Sequence, residues 1–163
     1  MLLLAALAVF AMSDPSPDPE MTLSPAGIRE FQVGATFESV RSATDWPLSP
    51  DTGEAERCEE YRVGDDIGLY FMVEDGRLTR VTVTDPGWFT TEGIEVGDSG
   101  DAVRAAYGDK VVRQVAPYAD APAHDLLVWT GQEVGYRFEL DADGRVAAIH
   151  AGSRSIEYIE GCL

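Results

Sequence analysis

Cys58 and Cys162 are the two cysteines of the chain, and a thiol is the most reactive group it offers. A reactive thiolate needs a histidine, a cation or a helix N-terminus beside it. No histidine lies near either cysteine in sequence, and both stand among acidic residues, which disfavour the thiolate. The pair therefore predicts a disulfide, of the kind formed in an oxidising compartment. Closing a loop of roughly 100 residues would remove about 4 to 5 kcal/mol of unfolded-chain entropy.

The remaining chemistry is sparse. A zinc site needs three or four closely placed His, Cys or carboxylate ligands. His124, in a Pro-Ala loop, and His150, in a predicted strand, each stand alone. Gly97-Asp98-Ser99-Gly100-Asp101 resembles a serine nucleophile turn only loosely, and Ser99 reads better as a helix N-cap. Asp141 and Asp143 precede Gly144 without the spaced ligands and terminal glutamate of a calcium loop, so that segment reads as a hairpin turn. Asp65-Asp66 and Glu59-Glu60 are acidic pairs with no such spacing either. The sequence predicts no catalytic residues, no metal and no cofactor, and hence a protein that is not an enzyme. Large rings are the stronger signal, because aromatic anchors dominate binding surfaces. Trp46 in a Pro-rich loop, Trp88 and Phe89 between two elements, Tyr118 in a second long loop and Trp129 on a strand are the binding candidates.

The elements that would position these rings emerge when the chain is laid on itself. Val33-Gly34-Ala35-Thr36-Phe37-Glu38-Ser39-Val40-Arg41 matches Val96-Gly97-Asp98-Ser99-Gly100-Asp101-Ala102-Val103-Arg104 position for position. Gly64 to Phe71 likewise matches Gly131 to Phe138. Thr36 and Ser99 predict N-cap hydroxyls, with Glu38 and Asp101 in the first helical turn where the dipole favours them. Gly108 predicts the end of the second helix. Val40 and Ala43 on the first helix, and Val103, Ala106 and Tyr107 on the second, should face a sheet. Each copy then runs through an Asp-Gly turn, at Asp75-Gly76 or Asp143-Gly144, into an alternating strand, Leu78–Thr84 or Val146–His150.

From this follows an α+β class, with two tandem helix-plus-antiparallel-meander repeats forming one domain and the helices on one face of the sheet. The first repeat spans 27–87, with a helix and three strands, and the second spans 88–163, with a helix and three to four strands. Thr44 to Arg57 and Ala116 to His124 read as surface loops, and Ile156 to Glu160 as a last strand.

Residues 2–11 form an apolar run too short to span a bilayer but suited to a signal peptide, expected over residues 1–13. Residues 14–26 open on Asp14-Pro15-Ser16-Pro17-Asp18-Pro19-Glu20 and read as a disordered linker. The sequence of 163 residues is 45% hydrophobic, so it carries a core, yet 29 acidic against 12 basic residues leave a formal charge of −17. Such a surface is repelled by nucleic acid and anionic lipid. The expected setting is periplasmic or extracellular, with no membrane insertion after signal removal.

The Gly-Ile element at Gly27-Ile28, the Val-Gly-x-hydroxyl cap, the short Val-Arg helix and the meander with Asp-Gly turns together resemble the repeat of the beta-lactamase inhibitor protein fold. The same unit resembles the single one of small outer-membrane assembly lipoproteins of the SmpA/OmlA type. The ending Glu160-Gly161-Cys162 is similar to that of a group of bacterial exported proteins. The resemblance covers about Gly27 to Ile149, and no inhibitory residue transfers by position. It implies a binding module whose loops and concave sheet face meet another protein of the envelope or exterior, as an inhibitor or assembly factor. Two other readings stand beside it. One is a small-ligand or polysaccharide binder with weak hydrolase activity, using Trp129, Tyr136 and nearby acids in a sheet cleft. The other is a structural domain with no specific ligand.

Overall fold

In a computed structural model of the chain, residues 21–55, 57–116 and 124–162 are described. The expected signal peptide, residues 14–20 of the expected linker, and Tyr118 lie outside the described residues. In chain order the elements are β1 (Thr22–Ser24), β2 (Gly27–Ile28), β3 (Phe31–Gln32), α1 (Phe37–Ser42), β4 (Leu48–Ala55), β5 (Cys58–Val63), β6 (Leu69–Glu74), β7 (Arg77–Val83), β8 (Phe89–Thr90), α2 (Gly100–Tyr107), β9 (Val111–Val115), β10 (His124–Trp129), β11 (Gly135–Leu140) and β12 (Val146–Gly152). Single 3₁₀ turns occupy Gly108–Lys110 and Arg154–Glu157.

Eight strands make one antiparallel sheet in the order β4-β5-β6-β7-β12-β11-β10-β9, and β3-β2-β1-β8 make a small second sheet. The large sheet joins at the seam of β7 and β12, where Val83 faces Ile149, Thr82 faces His150 and Arg80 faces Gly152. Alternation along these strands sends Val81, Val83, Phe71, Val128, Tyr136, Phe138 and Ile149 to one side, where all are buried. Leu23, Ile28 and Phe31 of the small sheet, Val40 of α1 and Val103 and Tyr107 of α2 close that side into one core. Each such side chain contributes about 1.5 to 3 kcal/mol by leaving water.

This is a mostly-β protein, and the expected α+β class of two helix-plus-three-strand repeats is not what forms. A single eight-stranded sheet dominates, and the helices, of six and eight residues, are short caps on its buried side. Helices of that length have no stability of their own. They persist because Thr36 Oγ1 and Ser99 Oγ accept from the amides of Ser39 and Ala102, and because Val40, Val103 and Tyr107 are buried. Ala43 and Ala106, expected on the packed faces, are exposed.

Three segments also depart from expectation. The segment read as a surface loop from Thr44 to Arg57 contains β4, which pairs with β5 through bulges around Pro50 and Thr52. Proline is tolerated there because an edge strand has one side without ladder bonds. Thr22–Ser24, placed in the linker, is β1, and Leu23 is wholly buried. The expected final strand at Ile156–Glu160 is instead a 3₁₀ turn at Arg154–Glu157 followed by irregular chain, because its carbonyls are taken by side chains rather than by a ladder.

The disulfide between Cys58 and Cys162 is formed, with Cα atoms 5.3 Å apart. No helix among the described residues is long and apolar enough to cross a membrane.

Candidate functional site

Two turns shape a surface depression with a mainly apolar lining. Gly68, at φ +59, bends the chain between β5 and β6, and its carbonyl accepts from the Thr84 amide at 2.8 Å. A Cβ on Gly68 would stand 2.6 Å from Asp85 Cγ and 2.7 Å from the Asp85 nitrogen, so only glycine allows the two turns to lie side by side. Trp88 follows directly and donates its Nε1–H to the Ile67 carbonyl at 3.2 Å. Trp46 comes in from the chain between α1 and β4, its ring edge-on to Trp88 with centroids 6.5 Å apart. The result is a shallow depression of about 340 Å³ lined by Met21, Trp46, Ile67 and Trp88, with Asp66, Asp85 and Pro86 around it. Trp88 is buried as a wall, Trp46 is half-buried, and both aspartates are exposed. An apolar floor under two carboxylates can hold an apolar side chain next to a cation. Among the described residues it offers no nucleophile with a base beside it, and no cluster that could hold a metal ion.

A second polar assembly lies on the opposite face of the large sheet. Arg80 and Arg137 are nearly inaccessible there. Arg80 donates to Glu60 at 2.5 Å and to the carbonyls of Ser155 and Tyr158. Arg137 donates to the carbonyls of Ile156 and Tyr158 at 2.9 and 2.8 Å, pairs with Glu139, and has Nε 3.3 Å from Asp125. Two buried guanidinium groups thus gather the carbonyls of the C-terminal segment and press it onto β7, β11 and β12. Gly152 and Gly135 let neighbouring strands approach closely, since a Cβ on Gly152 would stand 2.3 Å from the Thr79 carbonyl oxygen and one on Gly135 2.4 Å from that of Val128.

His150 completes this assembly. Its Nε2 is 2.9 Å from Glu139 Oε1 and its Nδ1 is 2.8 Å from Thr82 Oγ1. Burial, helped by the positive charges of Arg80 and Arg137, pushes the imidazole down to about 4 against the pull of Glu139. Burial would raise the Glu139 carboxyl, but hydrogen bonds from His150 and Arg137 and the charge of Arg137 overcome it and hold it at about 2. At neutral pH the imidazole is therefore uncharged, with Nε2–H donating to the Glu139 carboxylate and Nδ1 accepting from Thr82. Asp125 moves the other way, raised by burial against the pull of Arg137. The arrangement locks the tail down over the buried Arg80 and Arg137.

The fold has a solved counterpart. The chain is similar to the uncharacterized protein YfeY from Escherichia coli, with a TM-score of 0.54 and 16% sequence identity over 80% of this chain and 99% of that one. At that identity the likeness speaks for the fold alone. No family model matches the chain, and no curated protein matches it.

Of the sequence-predicted rings, Trp46 and Trp88 come together. Phe89, half-buried in β8, is not among the lining residues. Trp129 lies on the opposite face of the large sheet, beneath the Arg154 guanidinium at 4.6 Å. Tyr136, its expected partner in a sheet cleft, is wholly buried and donates its hydroxyl to the Leu23 carbonyl at 2.8 Å. Trp129 and Tyr136 point to opposite faces because Trp129 pairs with Gly135, the residue before Tyr136. That cleft does not exist. The buried assembly was missed by sequence reasoning, although its signal was present. Arg80 and Thr82, Arg137 and Glu139, and His150 occupy alternate positions of predicted strands, on the side opposite the apolar residues.

Proposed function

We propose that this chain is an exported, non-enzymatic binding protein that uses the Trp46–Trp88 depression to hold an extended segment of another envelope or extracellular protein. That segment would present an apolar side chain beside Lys or Arg. The observation that carries the reading is the pairing of a half-exposed indole with a buried one under the exposed carboxylates of Asp66 and Asp85. The net charge of −17 favours a basic partner and speeds encounter with it. The disulfide fits an oxidising compartment.

The test uses the oxidised protein as bait against the envelope and secreted fractions of its host, at low and then moderate salt. A protein retained in stoichiometric amount at moderate salt, and bound about 30-fold more weakly by Trp46→Ala, supports the reading. A Trp46→Ala bait that stays folded and keeps the partner at unchanged affinity overturns the assignment of the site. Capture that vanishes with salt overturns the specific-binding reading itself.

A further inference from the structure

The two edges of the large sheet are built differently. β4 is a defended edge: it carries Pro50 and Asp51 and is bent by bulges, all devices that discourage another strand from adding. β9, at the other end, has no proline and no bulge, and its one charged side chain is Arg113. Val111-Val112-Arg113-Gln114-Val115 runs in regular register with β10 over five residue pairs, and no other described strand pairs with it. Alternate residues of such an edge turn their backbone N–H and C=O groups outward. Val112 is 53% exposed and Val115 is 84% exposed, the highest values among the large hydrophobic side chains described.

Charge gives this edge a preference. Arg113 lies opposite Leu126 across the ladder, so it points to the side of the sheet that α2 covers. There Arg104 from α2, Gly108 and Asp109 at its end, Val111, Arg113 and Leu126 line a groove of about 470 Å³ beside β9. Arg104 is held over it by Asp101 at 3.0 Å and by His124 Nε2 at 3.2 Å. Lys110 sits one residue before the strand. Three of the 12 basic residues of a strongly acidic chain thus gather at this edge, with Asp101 and Asp109 beside them. A strand laid along β9 would turn alternate side chains toward Arg104 and Arg113 and the intervening ones toward Val112.

We propose that β9 is a docking edge that accepts, by β-strand addition, an extended segment of another protein bearing acidic side chains on the groove side and apolar ones on the other. A second copy of this chain fits less well, since two bodies of charge −17 repel each other. This surface is separate from the Trp46–Trp88 depression, and the two proposals fail independently.

The probe is a fluorescein-labelled decapeptide in which Glu alternates with Val and Thr, titrated into the oxidised protein and followed by anisotropy. The control carries Lys in place of each Glu. Saturable binding, at least about tenfold weaker for the Lys peptide and about tenfold weaker for the Glu peptide on Arg113→Glu, supports the proposal. So does slowed amide hydrogen exchange in β9 with β4 unchanged. Arg113 is exposed, so the variant should fold, and the Lys peptide gives the same comparison without any variant. Absence of binding, equal binding of the two peptides, or protection outside β9 overturns the proposal. A concentration-dependent dimer abolished by Arg113→Glu overturns it in favour of a second copy. Protection of β9 before peptide is added, lost on deleting residues 1–20, overturns it in favour of the chain's own N-terminal segment.

Discussion

Acidification should destabilise this protein through His150. The folded imidazole titrates at about 4 because it is buried and stands near Arg80 and Arg137, whereas the ordinary value is 6.5. Between those two pH values the unfolded chain takes up a proton that the folded chain refuses, so stability is intact above about 6.5 and falls as pH drops toward 4. The gap corresponds to about 3 kcal/mol. Glu139 has the same sign in a lower window: its folded carboxyl is depressed to about 2, so its contribution is present above the ordinary carboxyl value of 4.5 and lost as pH falls toward 2. Its side chain is 38% exposed and shares a hydrogen with His150, so solvent screens most of that contribution. Urea unfolding of the oxidised protein, followed by tryptophan fluorescence from pH 7.5 to 4, reads the effect. The comparison with His150→Gln removes the background titration of the acidic surface, which is common to both. The difference in unfolding free energy between the two proteins should shrink by about 3 kcal/mol across the window. Parallel curves, or a His150 ring proton titrating near 6.5 by NMR in the folded state, would refute the reasoning.

The disulfide ties residues 104 apart in sequence, so replacing both cysteines with Ala should cost about 5 kcal/mol in urea unfolding at pH 7. A loss below about 1 kcal/mol would mean that the buried arginines alone hold the tail. Gly68→Ala should destabilise by more than about 1 kcal/mol and alter the Trp88 emission spectrum, because the new Cβ meets Asp85 and the backbone sits at positive φ. A variant with unchanged stability and spectrum would show that the two turns can separate without disturbing the depression.

The unequal reach of sequence reasoning follows from the range of the interactions involved. Thr36, Ser99, the Asp75-Gly76 turn and Gly108 were legible because a cap or tight turn is satisfied within three or four residues of chain. The Cys58–Cys162 bond was legible because only two cysteines exist. The class differs from the expected one because the chain between α1 and β5 adds a strand to the large sheet rather than looping over its surface. In that chain Leu48 pairs with Val63 despite the proline two residues on. The tail was misread because Ile156 and Tyr158 alternate as a strand would, while Arg80 and Arg137, far away in sequence, claim their carbonyls.

By itself, then, the sequence determined the acidity, the covalent tie, the helix starts, the Asp-Gly turns and the set of rings worth testing. Each of these is composition or a contact between near neighbours in the chain. Only the tertiary structure decided that Trp46 and Trp88 meet while Trp129 and Tyr136 part, that β4 and β9 end the large sheet among the described strands, and that two arginines and a histidine lie beneath the tail. Those outcomes depend on strand order and register, which bring together residues whose spacing along the chain says nothing of their distance in space.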